Sequence, residues 1–116
     1  MLSYETRLGT VEISNEYLSK LIGNAVTQCY GVVGMVPSNS KQKLFGLFSK
    51  KDSADKGVII KGDTDKLSAE IHIIVLYGMN ISEIAKSIVN KVKFTVNENV
   101  GITVDKVTVK VDGIKE

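Results

Sequence analysis

The chain has 116 residues, of which 43% are hydrophobic and 24% are charged, and its net charge at pH 7 is +2. These values are typical of one ordinary globular domain and exclude a disordered chain. The small net charge also argues against nucleic-acid binding, which usually needs a concentrated basic face.

Cysteine content and apolar runs both indicate a cytoplasmic protein. Cys29 is the single cysteine, so an internal disulfide is excluded and a reducing compartment is favoured. The N-terminus lacks the basic and apolar regions of a signal peptide. The longest uninterrupted apolar run, residues 73–77, is far shorter than the roughly 20 residues that span a bilayer.

The first part of the chain predicts a strand, a helix and a second strand. Weak alternation over residues 4–13 indicates a strand with a change of phase, and a bulge is expected near Gly9. Ser14 is the expected N-cap of an amphipathic helix of about 15 residues. Gly31 is expected to stop that helix, and the short apolar run 32–36 predicts the second strand.

The middle of the chain gives the clearest alternation. A short strand is predicted over residues 57–62 and a longer one over 67–77. In the longer strand the odd-numbered apolar residues, ending with Tyr77, share a buried face, whereas His72 lies on the wet face. Leu76 on the second face predicts that both faces are covered near the end of this strand.

The last part of the chain predicts a helix followed by a strand. Asn80 or Ser82 can cap the helix, which Gly101 stops. Apolar residues of the final strand, over 102–114, change parity partway along it. This change predicts a bulge or turn near Asp105.

These elements predict an α+β fold: a single sheet of 4–5 strands with two helices on one face, in the order β-α-β-β-β-α-β. Residues 1–116 are expected to form one domain. The segment at about 38–56 is predicted to be a flexible insertion of basic and apolar residues, because connections of this length in compact domains are usually functional or mobile.

The side chains that enzymes use for chemistry are scarce. His72 is the single histidine, and on the polar face of a strand it is expected to be solvated or paired across strands, not catalytic. Cys29 is on the apolar face of the first helix, where a thiol acts as a small hydrophobe. One cysteine and one histidine cannot assemble a Cys- or His-based structural zinc site. We therefore expect no enzymatic activity, catalytic residue, metal or cofactor.

The insertion contains the residues that we predict to contact a partner or a membrane. Four lysines surround four apolar side chains, and no acid lies between them: Lys41, Lys43, Leu44, Phe45, Leu47, Phe48, Lys50 and Lys51. Such a segment can dock on a protein or insert into an anionic membrane surface. Alternatively, the phenylalanines fold back onto the bare face of the sheet and the lysines are simply solvated.

Several segments together resemble the alkaline-shock-protein family of mainly Gram-positive bacteria, also called the general-stress or envelope-stress-response family. The segments are GTVEIS at 9–14, YGVVGMV at 30–36, HIIVLYGMNI at 72–81, VG at 100–101 and VDKVTV at 104–109. The likeness covers nearly the whole chain except 38–56. It is closest to the short, housekeeping-like branch, which carries a lysine-rich insertion.

The resemblance implies a protein without established enzymatic activity or cofactor. Members of the family are cytoplasmic and self-associate, and some reach the membrane through a separate anchor protein linked to envelope stress. The short branch is often encoded beside a dihydroxyacetone-kinase-like protein that phosphorylates fatty acids. The family offers no catalytic residue to carry over onto this sequence.

Two functional hypotheses follow. The first is a non-enzymatic interaction or scaffold protein of cell-envelope stress or homeostasis, which self-associates and docks on a protein partner through the insertion or an exposed sheet edge. The resemblance implies two candidates for that partner, a membrane-anchored protein or a dihydroxyacetone-kinase-like protein. The alternative is a peripheral membrane or lipid-binding regulatory module linked to fatty-acid and lipid metabolism.

Overall fold

The computed structural model of the chain describes residues 2–36 and 57–116. Within these residues, two helices and six strands follow one another along the chain: β1 Leu2–Thr6, β2 Gly9–Ile13, α1 Asn15–Thr27, β3 Val32–Met35, β4 Val58–Lys61, β5 Leu67–Leu76, α2 Ile81–Val100 and β6 Val104–Lys115. The predicted α+β fold is confirmed, with two helices packed on the main sheet.

Strand β5 is the centre of the main sheet. Strand β6 runs parallel to it along the whole of one edge, whereas β3 and β4 run antiparallel along the other edge. β3 pairs with residues 73–75 and β4 with residues 68–71, so the two short strands follow one another along the same edge. The backbone N–H of Val36 donates to the carbonyl oxygen of His72, and Gly57 lies so close to that oxygen that a side chain would collide with it.

The core lies between this sheet and the helices. The odd-numbered residues of β5 from Leu67 to Val75 are almost fully buried, as the alternation predicted. Helix α1 contacts β3 and β4, and α2 contacts α1 and β6. Leu18 and Ile22 of α1 meet Ile88 and Val92 of α2 in the same buried cluster. Burial of such side chains is the main stabilising contribution in a domain of this size.

Three predicted helix ends are confirmed, but the expected stop of α1 at Gly31 was wrong, because α1 ends at Thr27 and Gln28 is its C-cap. Ser14 Oγ accepts a hydrogen bond from the Tyr17 N–H, and Asn80 Oδ1 accepts one from the Glu83 N–H. Each bond satisfies an N–H group that has no partner inside the helix. Gly101 ends α2 with a φ of 79°, a left-handed conformation that suits glycine.

The N-terminal prediction was wrong in one respect. The single strand predicted over residues 4–13 is a hairpin, in which β1 and β2 form a separate two-stranded antiparallel sheet. The change of phase seen in the sequence marks its turn, where Thr6 Oγ1 accepts a hydrogen bond from the Leu8 N–H. The hairpin is attached to the domain by Tyr4, whose hydroxyl donates to the Val100 carbonyl oxygen over 3.0 Å.

Candidate functional site

The open face of the sheet, opposite the helices, carries a cluster of charged side chains around His72. Alternation along β5 places Glu70 and His72 on this face. A bulge in β6, where Val111 pairs with Ile73 and Gly113 with Ile74, leaves Asp112 as an extra residue beside them. Bulges often redirect a side chain in this way.

His72 bridges two carboxylates. Its Nε2 is 2.7 Å from Glu70 Oε2 on the same strand, and its Nδ1 is 2.8 Å from Asp112 Oδ2 on β6. Lys110 Nζ is 3.9 Å from the other oxygen of Glu70. Both ring nitrogens can donate only when the imidazole is protonated, so this geometry favours the imidazolium.

The pKa values follow from these contacts. Burial lowers the pKa of His72, but the hydrogen bonds that its ring N–H groups donate to Asp112 and Glu70 outweigh it, and the net pKa lies above the ordinary value of 6.5. The hydrogen bond from His72 holds the pKa of Glu70 below its ordinary value of 4.5, and Lys110 lowers it further. The cluster therefore behaves as a cross-strand ionic link between β5 and β6.

This link matches the cross-strand pairing that the sequence suggested for His72. With both ring nitrogens engaged, the imidazole has no free nitrogen for proton transfer or metal ligation. In the described part of the chain, no group of three or more His, Cys, Asp or Glu side chains is arranged to hold a metal ion. Cys29 is buried, and its thiol donates to the Ala25 carbonyl oxygen, as expected for a packing residue.

A second feature lies where β5 ends. Four exposed apolar residues lie on the two chain segments that meet there, and we call them the sheet-end cluster: Tyr30, Val33, Leu76 and Tyr77. The Leu76 N–H donates to the Gly31 carbonyl oxygen over 3.0 Å, which brings the end of the α1–β3 connection beside the end of β5. Tyr30 is 82% exposed and Tyr77 is 68% exposed. Grouped exposed apolar residues of this kind commonly mark interaction sites.

This exposure corrects the sequence-based expectation for the end of β5. Leu76 was predicted to be covered and Tyr77 to share the buried face, but Leu76 is 41% exposed and Tyr77 is mostly exposed. The helix layer stops short of this end of the sheet, because α1 ends at Thr27 and α2 begins only at Ile81.

Gly31 positions Tyr30 in the cluster. Its φ of 92° lies in the left-handed region, and a Cβ there would be 2.7 Å from Ile84 Cδ1 of α2. Glycine therefore allows the chain to turn tightly against α2 and to leave the preceding tyrosine outside. A groove of about 230 Å³ beside Tyr30 is lined in part by Met79 and Ile84.

The sheet-end cluster was not predicted from the sequence. The available signal was a repeated pair of residues: Tyr30 precedes Gly31 after α1, and Tyr77 precedes Gly78 after β5. Both glycines have a left-handed φ in a turn beside the end of an element, and such a turn leaves the residue before it at the border of the packed layers. The residues that were predicted to contact a partner or membrane, Lys41, Lys43, Leu44, Phe45, Leu47, Phe48, Lys50 and Lys51, lie outside the described residues.

Comparison with known proteins identifies relatives. Residues 3–116 match the profile of the alkaline shock protein 23 family, described as having a cell envelope-related function. The chain is 34% identical over 114 residues to the uncharacterized protein YloU of Bacillus subtilis (strain 168), covering 98% of the chain and 95% of that protein. It is 33% identical over 110 residues to the uncharacterized protein Spy1614 of Streptococcus pyogenes serotype M6, covering 95% of the chain and 91% of that protein.

Among solved structures, a zinc form of a variant of the MamM CTD shares the fold. The two chains are 16% identical, with a TM-score of 0.50, and the likeness covers 87% of this chain and 86% of the other. No helix within the described residues combines the length and hydropathy that crossing a membrane requires.

Proposed function

The chain belongs to the alkaline shock protein 23 family, whose function is cell envelope-related, and from this premise we propose that it is a non-enzymatic interaction protein. In this proposal it acts in the cytoplasm, in envelope stress or homeostasis, by self-association and by docking on a protein partner. It reaches the membrane through that partner.

The sheet-end cluster carries the proposal. Its two tyrosines present rigid, amphipathic rings at little conformational cost, and tyrosine is enriched at protein interfaces for this reason. The cluster combines residues from the α1–β3 connection, β3 and the end of β5, so the fold holds it as a preformed surface. Such a surface loses little entropy on binding. His72, in contrast, is engaged in a link between strands and offers no free ring nitrogen.

Photo-crosslinking in living cells tests this proposal. A photoreactive phenylalanine analogue would replace Tyr30 or Tyr77 in the full chain, one position at a time, and the adducts would be identified by mass spectrometry. We expect both positions to capture the same discrete set of proteins, since they belong to one surface.

Phe94 provides the matched control, because it is an aromatic residue of α2 that is 62% exposed and lies outside the cluster. The same analogue at this position should not capture that set. If positions 30 and 77 gave no adduct, or the same adducts as position 94, the sheet-end cluster would not be a docking surface.

A second candidate function rests on the open face of the sheet. Strand pairing places Lys61, Lys106, Lys110 and Lys115 on this face, beside the exposed Leu76. A basic face with an apolar border suits a peripheral membrane or lipid-binding module. This candidate predicts binding to vesicles that contain phosphatidylglycerol and a steep loss of binding as salt is raised. Equal binding to neutral phosphatidylcholine vesicles would contradict it.

The predicted contact residues between 41 and 51 are a separate candidate surface, either for docking on a protein partner or for binding a membrane. Replacing Phe45 and Phe48 together with serine removes the two aromatic side chains and leaves the lysines in place. If the segment contacts a protein or a membrane, this double variant should weaken the corresponding capture or vesicle binding. Unchanged binding in both assays would reject the segment as a contact.

A further inference from the structure

Strand β6 presents the longest free edge of the main sheet. It has 12 residues, and among the described strands only β5 pairs with it. The opposite edge of the sheet is divided between two strands of four residues each. A long edge strand leaves a row of unpaired N–H and C=O groups that can accept another strand.

The helix-side face of β6 is apolar and symmetric about its middle. Pairing with β5 places five aliphatic residues on this face: Val104, Val107, Val109, Val111 and Ile114. The central three valines are two positions apart. The bulges at Asp105 and Asp112 each add one residue, so Val104 and Ile114 lie three positions from the nearest of these valines. The spacing of the five residues is therefore the same when read in either direction from Val109.

The helices do not fully cover this face. Val107, Val109 and Val111 are only partly buried, and Ile114 is 57% exposed. A strand added to the edge of β6 would cover these side chains with apolar neighbours. A strand with the same spacing of apolar residues can do so along the whole length, and β6 of a second copy has that spacing.

The lysines of β6 disfavour the two registers on either side of the one centred on Val109. An antiparallel pair centred on Thr108 would place Lys106 opposite Lys110 of the second copy, and a pair centred on Lys110 would place two lysines face to face. Like charges that lie directly opposite one another destabilise a sheet. A pair centred on Val109 avoids both contacts and sets Lys106 opposite Asp112.

We infer that β6 pairs antiparallel with β6 of a second copy, with Val109 on the two-fold axis. Val107 then lies opposite Val111 of the second copy, and Val104 lies opposite Ile114. The two main sheets become one continuous sheet with all four helices on the same face. This inference rests on the self-association in the proposed function and names the surface that mediates it. The interface is closed, since each copy contributes the same residues.

Disulfide trapping tests the register directly. The background would be the full chain with Cys29→Ala, so that each variant carries one thiol. Residues opposite one another in an antiparallel pair have Cα atoms about 4.5–5.5 Å apart, which a disulfide can bridge. We expect Val109→Cys to form a covalent dimer when purified protein is exposed to oxidised glutathione.

Val107→Cys and Val111→Cys are matched controls on the same face of the same strand. In the inferred register the two copies of position 107 are four residues apart, or about 13 Å along the strand, beyond the reach of a disulfide. Each control alone should therefore stay monomeric on a denaturing gel. A mixture of the two controls should form a mixed dimer, because position 107 then lies opposite position 111.

The outcomes separate this inference from the proposed function. Sedimentation velocity of the unmodified chain first measures self-association. If the chain self-associates but Val109→Cys fails to crosslink, or crosslinks no better than the two controls alone, the β6 interface is wrong and self-association stands. If the chain is monomeric at every concentration, self-association and the β6 interface are both rejected, whereas docking at the sheet-end cluster is still judged by photo-crosslinking.

Discussion

Replacing Asp112 with asparagine tests the link between β5 and β6. The variant keeps the shape of the side chain but removes the charge that holds His72 Nδ1. A hydrogen bond between charged groups contributes about 1.5–3 kcal/mol to stability. The Asp112 side chain is 35% exposed, and solvent screening reduces this contribution. We expect a loss of about 1 kcal/mol in the free energy of unfolding, or roughly 4 °C in Tm for a chain of this length.

The loss should depend on pH in a defined direction. The pKa of folded His72 is raised, so its stabilising contribution is fully present below the ordinary value of 6.5 and disappears as pH rises through the folded pKa. The pKa of Glu70 is lowered, so its contribution is present above 4.5 and disappears as pH falls through its folded pKa. Both contributions are therefore fully present between the ordinary pKa of Glu70, 4.5, and the ordinary pKa of His72, 6.5, and the link is strongest in that pH range.

Urea unfolding followed by circular dichroism measures the effect, for the unmodified chain and the Asp112→Asn variant. At pH 5.5, one unit below the ordinary His72 value of 6.5, the variant should lose the full amount. At about pH 9 the imidazole is neutral and the difference should vanish or reverse, because the asparagine amide can donate to the free ring nitrogen.

Asp105→Asn is the control, because Asp105 belongs to the other bulge of β6, about 20 Å along the strand from Asp112. It should change stability by less than about 0.5 kcal/mol at either pH. An equal loss for Asp112→Asn at both pH values would refute the assignment of a protonated His72 as the bridge.

Three further substitutions test the packing of the domain, each by urea unfolding. Gly31→Ala should cost about 1–3 kcal/mol, because it forces a left-handed φ and a contact with Ile84, whereas Gly34→Ala has open space and should stay within about 0.5 kcal/mol. Ile88→Ala, at a fully buried position between the helices and the sheet, should cost about 2–5 kcal/mol. Ser14→Ala should cost about 1 kcal/mol through loss of the N-cap bond to Tyr17. A cost for Gly34→Ala equal to that for Gly31→Ala would contradict the role given to the left-handed turn.

The parts of the fold that depend on neighbouring residues were predictable from the sequence. Ser14 and Asn80 cap their helices because the bonds they accept come from N–H groups three residues ahead. The bulge at Asp105 was predicted from the change of parity among the valines of β6, and the pairing with β5 confirms it. The second bulge, at Asp112, also changes the parity of the apolar residues, from Val111 to Ile114, but Ile114 is the single apolar residue after it and the change was not recognised.

The parts that depend on distant residues were not predictable. Which β6 residue lies beside His72 is set by the register of two strands that are joined through α2, and no pattern within one strand fixes that register. Exposure of Leu76 and Tyr77 depends on where the helix layer stops, which alternation along β5 does not report. The hairpin was missed because its turn residues, Arg7 and Leu8, lack the usual turn composition.

The most direct test of the account is the native size of the protein in cell extract. A full-length chain with Tyr30→Ser and Tyr77→Ser should keep its stability within about 0.5 kcal/mol, because both side chains are mostly exposed. Size-exclusion chromatography of extracts should place the unmodified chain in an assembly larger than its own dimer. The double variant should shift to the size of the free monomer or dimer. Identical elution of both proteins would contradict a function that depends on docking through the sheet-end cluster.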